Sequence, residues 1–168
     1  MRSILVVVAL MAAQFMSLPR QAFAAADPAL AVIPNLSGVW KLDRDLTNAD
    51  LRRFRTTTLV ITQSYDEVRF DRYDGKNLYA TDTFLTDGKE RPRYTTRIER
   101  AYARAHWDKK KPELVITTRS FLDLDGYQSY NDVDIWTVSP DGETLTHKQI
   151  DGKVIIYYRD HNRTDLSQ

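Results

Sequence analysis

The stretch NLSGVWKLD, Asn35 to Asp43, decides how this chain is read. Gly38, having no Cβ, lets the backbone bend close to a neighbour, and Trp40 follows with a large, mostly apolar ring. Such a run either marks a site of chemistry or closes one end of a β-barrel. The rest of the chain has to choose between the two.

Five of the six glycines follow an aspartate: Asp74-Gly75, Asp87-Gly88, Asp125-Gly126, Asp141-Gly142 and Asp151-Gly152. Asp-Gly between β-prone runs marks tight hairpins, because Gly takes positive φ without steric cost and Asp tolerates it. The runs between them agree. TTTLVITQ, EVRFDRY, NLYATDTFL, ELVITTRSF, SYNDVDIWTV, TLTHKQI and KVIIYYR are rich in Thr, Val, Ile, Tyr and Phe. SGVWKL, YTTRIE and AYARAHW complete the set, with WDKKKPE, Trp107 to Glu113, as a long charged turn. The spacing predicts an all-β, antiparallel up-and-down barrel of about eight to ten strands, a closure that removes both sheet edges. LTNADLRRFR, Leu46 to Arg55, breaks the pattern. It predicts one short helix after the first strand, capped by Thr47 or Asn48 with Leu51 and Phe54 on one side, serving as a connector or as a lid over one barrel mouth.

The chain opens MRSILVVVALMAAQFMSLPRQAFAAADPA, with Arg2 at its charged start, an apolar run from Ile4 to Ala13, and Ala-x-Ala sites ending at Ala24 or Ala26. That is the layout of a secretory signal peptide over residues 1–26. A membrane-spanning helix needs about 20 mostly apolar residues, and this run is broken by Gln14, Pro19 and Arg20, so no stable membrane anchor is expected after cleavage. Residues 27–35 read as a flexible leader, 36–160 as one barrel domain and 161–168 as a polar tail. Removing the first 26 of 168 residues leaves 142, enough for one core. Arg2 and Arg20 go with them and no acid does, so the 24 basic residues drop just below the 23 acidic ones and no nucleic-acid partner is implied. Zero cysteines exclude disulfides, thiolate catalysis and Cys-ligated metal. Export without disulfides points to a bacterial periplasmic or secreted protein.

At Gly38-Val39-Trp40 the sequence resembles the lipocalin and calycin barrels, whose first strand carries a Gly-x-Trp. WTVSPDGETLT, Trp136 to Thr146, strengthens a likeness to exported bacterial lipocalin-like domains that open with Ser-Gly-x-Trp-Lys-Leu. The resemblance runs from Leu36 to about Arg159 and implies an Arg or Lys from the last strand lying across the Trp ring. Arg159, which closes VIIYYRD, stands at the expected place, making Gly38, Trp40 and Arg159 the closure of one barrel end. A guanidinium over an indole contributes about 0.5–2 kcal/mol. The chain lacks a Thr-Asp-Tyr motif, and the family implies a fold rather than an activity.

A barrel of this size encloses packed side chains or one small ligand, so its interior is the default site. The unusual ingredient is RPRYTTRIERAYARAHW, Arg91 to Trp107, dense in arginine and tyrosine. Read as strands, it puts Arg93 with Arg97 on one face and Tyr94 with Arg100 on the other. An inward Arg and Tyr would hold the carboxylate of an amphipathic acid, since guanidinium offers a bidentate fork. Arg97, Arg119, Tyr94 and Tyr102 are the candidate ligand contacts. The competing reading is a solvated face of arginines pairing with Asp71, Asp82 and Glu99.

His106, His147 and His161 are the only histidines, and none has metal-ligand spacing with another, so neither metal nor cofactor is expected. DLDGYQSYNDVD, Asp123 to Asp134, alternates acids without the glycine position and final glutamate of a helix-loop-helix calcium site, and reads as a solvated hairpin. No nucleophile elbow or phosphate loop is present. These residues favour an exported binding protein for a small amphipathic or hydrophobic molecule. An envelope or protein-interaction module with a solid core is the alternative. A barrel cyclase, isomerase or hydrolase would need His147 with Asp132 or Asp134 as its acid–base pair.

Overall fold

The computed structural model describes residues 33–51, 54–123 and 127–162. The expected signal peptide, most of the expected leader, the Asp125-Gly126 pair and most of the expected tail lie outside the described residues. Ten strands follow one another: β1 (Gly38–Asp43), β2 (Thr58–Gln63), β3 (Glu67–Asp74), β4 (Asn77–Leu85), β5 (Arg91–Thr95), β6 (Glu99–Trp107), β7 (Glu113–Asp123), β8 (Tyr127–Val138), β9 (Thr144–Gln149) and β10 (Val154–Arg159). Their spatial order is β4-β3-β2-β1-β10-β9-β8-β7-β6-β5, and every pairing is antiparallel. Sequence neighbours pair throughout except β4 and β5, and β1 pairs β10, which joins the two ends of the domain. The result is an all-β, up-and-down antiparallel barrel. Four of the five Asp-Gly pairs fall in or beside its turns.

Two expectations need correction. The barrel keeps two sheet edges, because β4 and β5 do not pair with each other. A strand proline donates no ladder hydrogen bond and belongs at an edge; Pro92 lies in β5, beside an irregularity between Pro92 and Tyr94. The seam is held at one end, where Gly88 N–H donates to Ala105 O at 2.9 Å and Asp87 bridges to His106. The second correction concerns the segment after β1: its described residues contain no α-helix, Leu51 is 3₁₀, and Arg52 and Arg53 lie outside the described residues. The intended caps are used elsewhere. Ile156 N–H donates to Thr47 Oγ1 at 3.0 Å and Val154 N–H to Asn48 Oδ1 at 2.6 Å, while Asn48 N–H donates to Val154 O at 3.0 Å. The connector is thus tied along β10, with Ala49, Leu51 and Phe54 packed on the core.

One end of the barrel is closed around Trp40, which is fully buried. Its indole N–H donates to Leu36 O at 2.9 Å, and the Arg159 guanidinium lies 4.2 Å from the ring centroid. Arg159 also donates to Ser37 O at 2.9 Å and to Gly142 O at 2.6 Å. Gly38 has φ +149°, and a Cβ there would collide with Arg159 Nη1. Position 38 therefore has to be glycine for the guanidinium to reach the ring. Trp40→Ala removes the indole from a site that cannot collapse and should cost about 3–5 kcal/mol. Chemical denaturation measures this, and a near-wild-type midpoint would contradict the role given to Trp40.

Candidate functional site

Strand alternation sorts the side chains into two interior zones. Leu42 with Tyr157, Leu59 with Arg72, Phe70 with Asp82, and Ile116 with Asp134 are directly opposed pairs, so each shares the inner face. Next to the Trp40 closure the interior is solid. Phe70 packs on Trp136 at 4.9 Å and edge-on to Phe84 at 5.9 Å, and Leu59, Leu114, Leu145 and Tyr157 are fully buried around them.

Toward the opposite end, where β9 turns into β10, the interior becomes polar and opens. A cavity of about 270 Å³ is lined by Arg93, Thr118, Asp132, Asp134, Gln149 and Lys153, among others. Beside it lies a second space of about 300 Å³ that shares Gln149 and Lys153 and is faced by Ala49, Phe54 and Ile155. The pair forms a polar compartment with a more apolar neighbour, near the lower limit of ordinary ligand pockets in size.

The polar compartment is built from charges on β3, β4, β5 and β8. Arg72 pairs with Asp82, and Arg93 Nη2 approaches the same carboxylate at 2.9 Å, so two guanidinium groups share one acid. Arg93 Nη1 also donates to Thr118 Oγ1 at 3.4 Å. Burial, with the neighbouring Arg93 second, lowers the Arg72 pKa from its ordinary value. Across the cavity stands Asp132, whose carboxyl makes no hydrogen bond or ion pair with any described residue. Burial raises its pKa, Asp134 and Asp151 add to the effect, and Arg93 opposes it. Arginine on one wall and a carboxyl held partly against its own ionisation on the other can orient a small molecule carrying both acceptors and donors.

His147 Nε2 lies 2.6 Å from Asp134 Oδ1, bringing together the pair singled out for an acid–base role. The imidazole is buried and stacked on Trp136 at 4.0 Å with an interplanar angle of 3°. Asp134 lines the cavity and the ring does not. The pair therefore fixes Asp134, and no imidazole nitrogen is offered to a guest in the cavity. Among the described residues no cluster of three or more His, Asp or Glu side chains is arranged to hold a metal ion.

The four residues first proposed as ligand contacts are not brought together. Arg97 falls in the turn between β5 and β6 and is exposed, because Thr96 ends the strand by accepting the N–H of Glu99 at 2.9 Å and capping the turn. Arg119 is on the outer face, 2.6 Å from Glu90 and 4.9 Å over the Phe121 ring. Tyr102 lies on that same outer face, opposite Arg119 and edge-on to Phe121. Tyr94 alone shares the inner face, opposite Ala101, and it is still exposed. Its hydroxyl donates to Glu99 Oε1 at 2.6 Å, with Tyr130 donating to the same oxygen at 2.9 Å, and these bonds hold the Glu99 carboxyl below its usual range. The irregularity in β5 explains the change of face: Arg93 and Tyr94 are not on opposite sides as strict alternation requires. Arg72 was missed, although EVRFDRY places it two residues after Phe70 on the face that Val68 and Phe70 define.

No protein family and no curated protein matches the sequence. Among solved structures, a mutant of the fluorescent protein UnaG is similar, with a TM-score of 0.45 and 19% identity over 76% of this chain and 97% of that one. The likeness is too distant to transfer a ligand.

The raised pKa of Asp132 has a consequence for stability. The fold holds this proton more tightly than the unfolded chain does, so the contribution is present at low pH and lost as pH rises through the folded-state pKa. Asp132→Asn should raise the melting temperature at neutral pH, and the gain should vanish below the ordinary aspartate range. Thermal melts over a pH series test this; a gain of the same size at every pH would contradict it.

Proposed function

We propose that this chain is an exported binding protein for a small amphipathic molecule, held at the open end of the barrel. The observation that carries this reading is the 270 Å³ cavity with Arg93 and Asp132 on its walls, joined through Gln149 and Lys153 to the space faced by Phe54 and Ile155. The anionic end of the guest meets Arg93, with Arg72 behind it sharing Asp82, and the apolar end lies against Phe54, Ala49 and Ile155. A wholly hydrophobic guest is disfavoured, because Trp40, Phe70, Trp136 and Tyr157 already fill the apolar half. Export is supported by the Arg2–Ala26 signal layout. That same filled half favours a second reading, a solid-core interaction module, which differs in needing no guest.

Native mass spectrometry before and after organic extraction separates the two. The binding reading expects a small molecule to travel with the purified protein, to be lost from Arg93→Ala and to be retained by Arg119→Ala, whose side chain lies outside. Repeated absence of any guest, or equal retention by Arg93→Ala, would leave the solid-core reading. Processing is checked independently, since the exported chain should begin at Ala25 or Asp27; recovery of intact Met1 in the envelope fraction would contradict cleavage.

A further inference from the structure

The arginine-rich run is not explained by the cavity, because most of it faces outward. Along β6 the inner positions are Ala101, Ala103 and Ala105, all buried, so Arg100, Tyr102, Arg104 and His106 form the outer row. Register places Phe121, Arg119, Thr117 and Val115 of β7 opposite them, and Ser129, Asn131, Val133 and Ile135 of β8 continue the rows. Glu99, Asp132 and Asp134 belong to the inner face, whereas Glu113, at the far end of β7, shares the outer row with Val115. The outer rows from Arg100 to Arg104 and from Thr117 to Phe121 thus have three guanidinium groups and no carboxylate of their own.

One carboxylate reaches it from elsewhere. Glu90, in the turn before β5, meets Arg119 at 2.6 Å, while that guanidinium stays over Phe121 and Tyr102 packs edge-on to the same ring. The side chains of Arg100 and Arg104, exposed on either side of Tyr102 along β6, make no ion pair or hydrogen bond with any described residue. Their Cα atoms are about 13 Å apart at the usual strand rise. Arg with Tyr and Phe, and no Lys in these rows of β6 to β8, is the composition enriched at protein–protein interfaces. The Glu90 contact shows which group this face accepts.

We propose that the outer face of β6 and β7, centred on Arg100, Arg104 and Arg119, docks an acidic segment of a partner protein. Carboxylates of that segment take the forks of Arg100 and Arg104 as Glu90 takes that of Arg119, and its apolar side chains lie across Tyr102 and Phe121. This surface is on the opposite side of the strand wall from the cavity, so it stands whether or not the barrel holds a guest.

The test uses the processed chain and a fluorescent glutamate-rich peptide containing tyrosine, followed by anisotropy at low and high salt. The wild type should bind with affinity that falls as salt rises. Arg100→Glu/Arg104→Glu should bind about tenfold more weakly or worse, with Arg100→Gln/Arg104→Gln in between, each retaining the wild-type circular dichroism spectrum. Arg44→Glu/Lys76→Glu, an equal charge change in two exposed turns, should bind like wild type. Absence of peptide binding by the wild type would overturn the proposal. So would an equal loss in both charge-reversed variants, which would reduce the effect to bulk charge. Tighter retention on phosphatidylglycerol vesicles than on the peptide, abolished by Arg100→Glu/Arg104→Glu, would also overturn it in favour of a lipid surface.

Discussion

The contact between Arg159 and Trp40 is the constraint from which the rest of the barrel follows. Eight hairpin pairings place strands beside their sequence neighbours, but only the β1–β10 pairing brings the first strand to the last. At that junction one guanidinium spans the indole face and binds carbonyls from the chain entering β1 and from the β8–β9 turn. A planar, multiply donating fork is needed to do all three at once, and a lysine ammonium would not reproduce it. Gly38 leaves the space this requires. The closure is thus a backbone device as much as a ring contact.

β10 carries this constraint to the other end of the molecule. Its last residue is Arg159, while its first residues, Val154 to Ile156, bind Thr47 and Asn48 of the connector. A single strand therefore fixes both the closed floor and the segment beside the mouth. Between them the aromatic core excludes a guest from the floor half. The polar cavity lies where β5, β8 and the β9–β10 turn present charge, with β7 supplying Thr118 and the connector supplying Ala49 and Phe54 at the margin.

Much of the architecture was legible because its signals are local. Asp-Gly turns, β-branched runs and Gly-x-Trp each act within a few residues, and they are sufficient for an antiparallel meander and its closure. The departures are places where a distant strand takes over a local signal. Thr47 and Asn48 are good helix caps, but β10 uses their side chains. Arg93 and Tyr94 follow an alternation that the Pro92 irregularity breaks, and Arg97 lies beyond the end of the strand. Arg119 and Tyr102 share an outer face that only the β6–β7 register defines. Arg72 was accessible in principle from Val68 and Phe70; the charge itself discouraged an inward assignment, since charged residues are seldom buried unless paired.

That last point bears on what the interior charges do. Moving ions from water into a protein carries a desolvation cost that their mutual attraction often only offsets, and well-packed apolar residues at such a site are commonly as stable. The floor half of this barrel is packed in that way. In the mouth half the chain places two arginines on one aspartate, leaves Asp132 without a described partner and uses His147 to fix Asp134. Stability alone gives little reason for that arrangement, because Asp132 works against it at neutral pH. Recognition gives a reason: preset donors and an available carboxyl around a cavity have their desolvation and orientation settled before a guest arrives. The division between an apolar floor and a charged mouth is therefore a division of labour, the first holding the barrel closed and the second holding its charges ready for a guest.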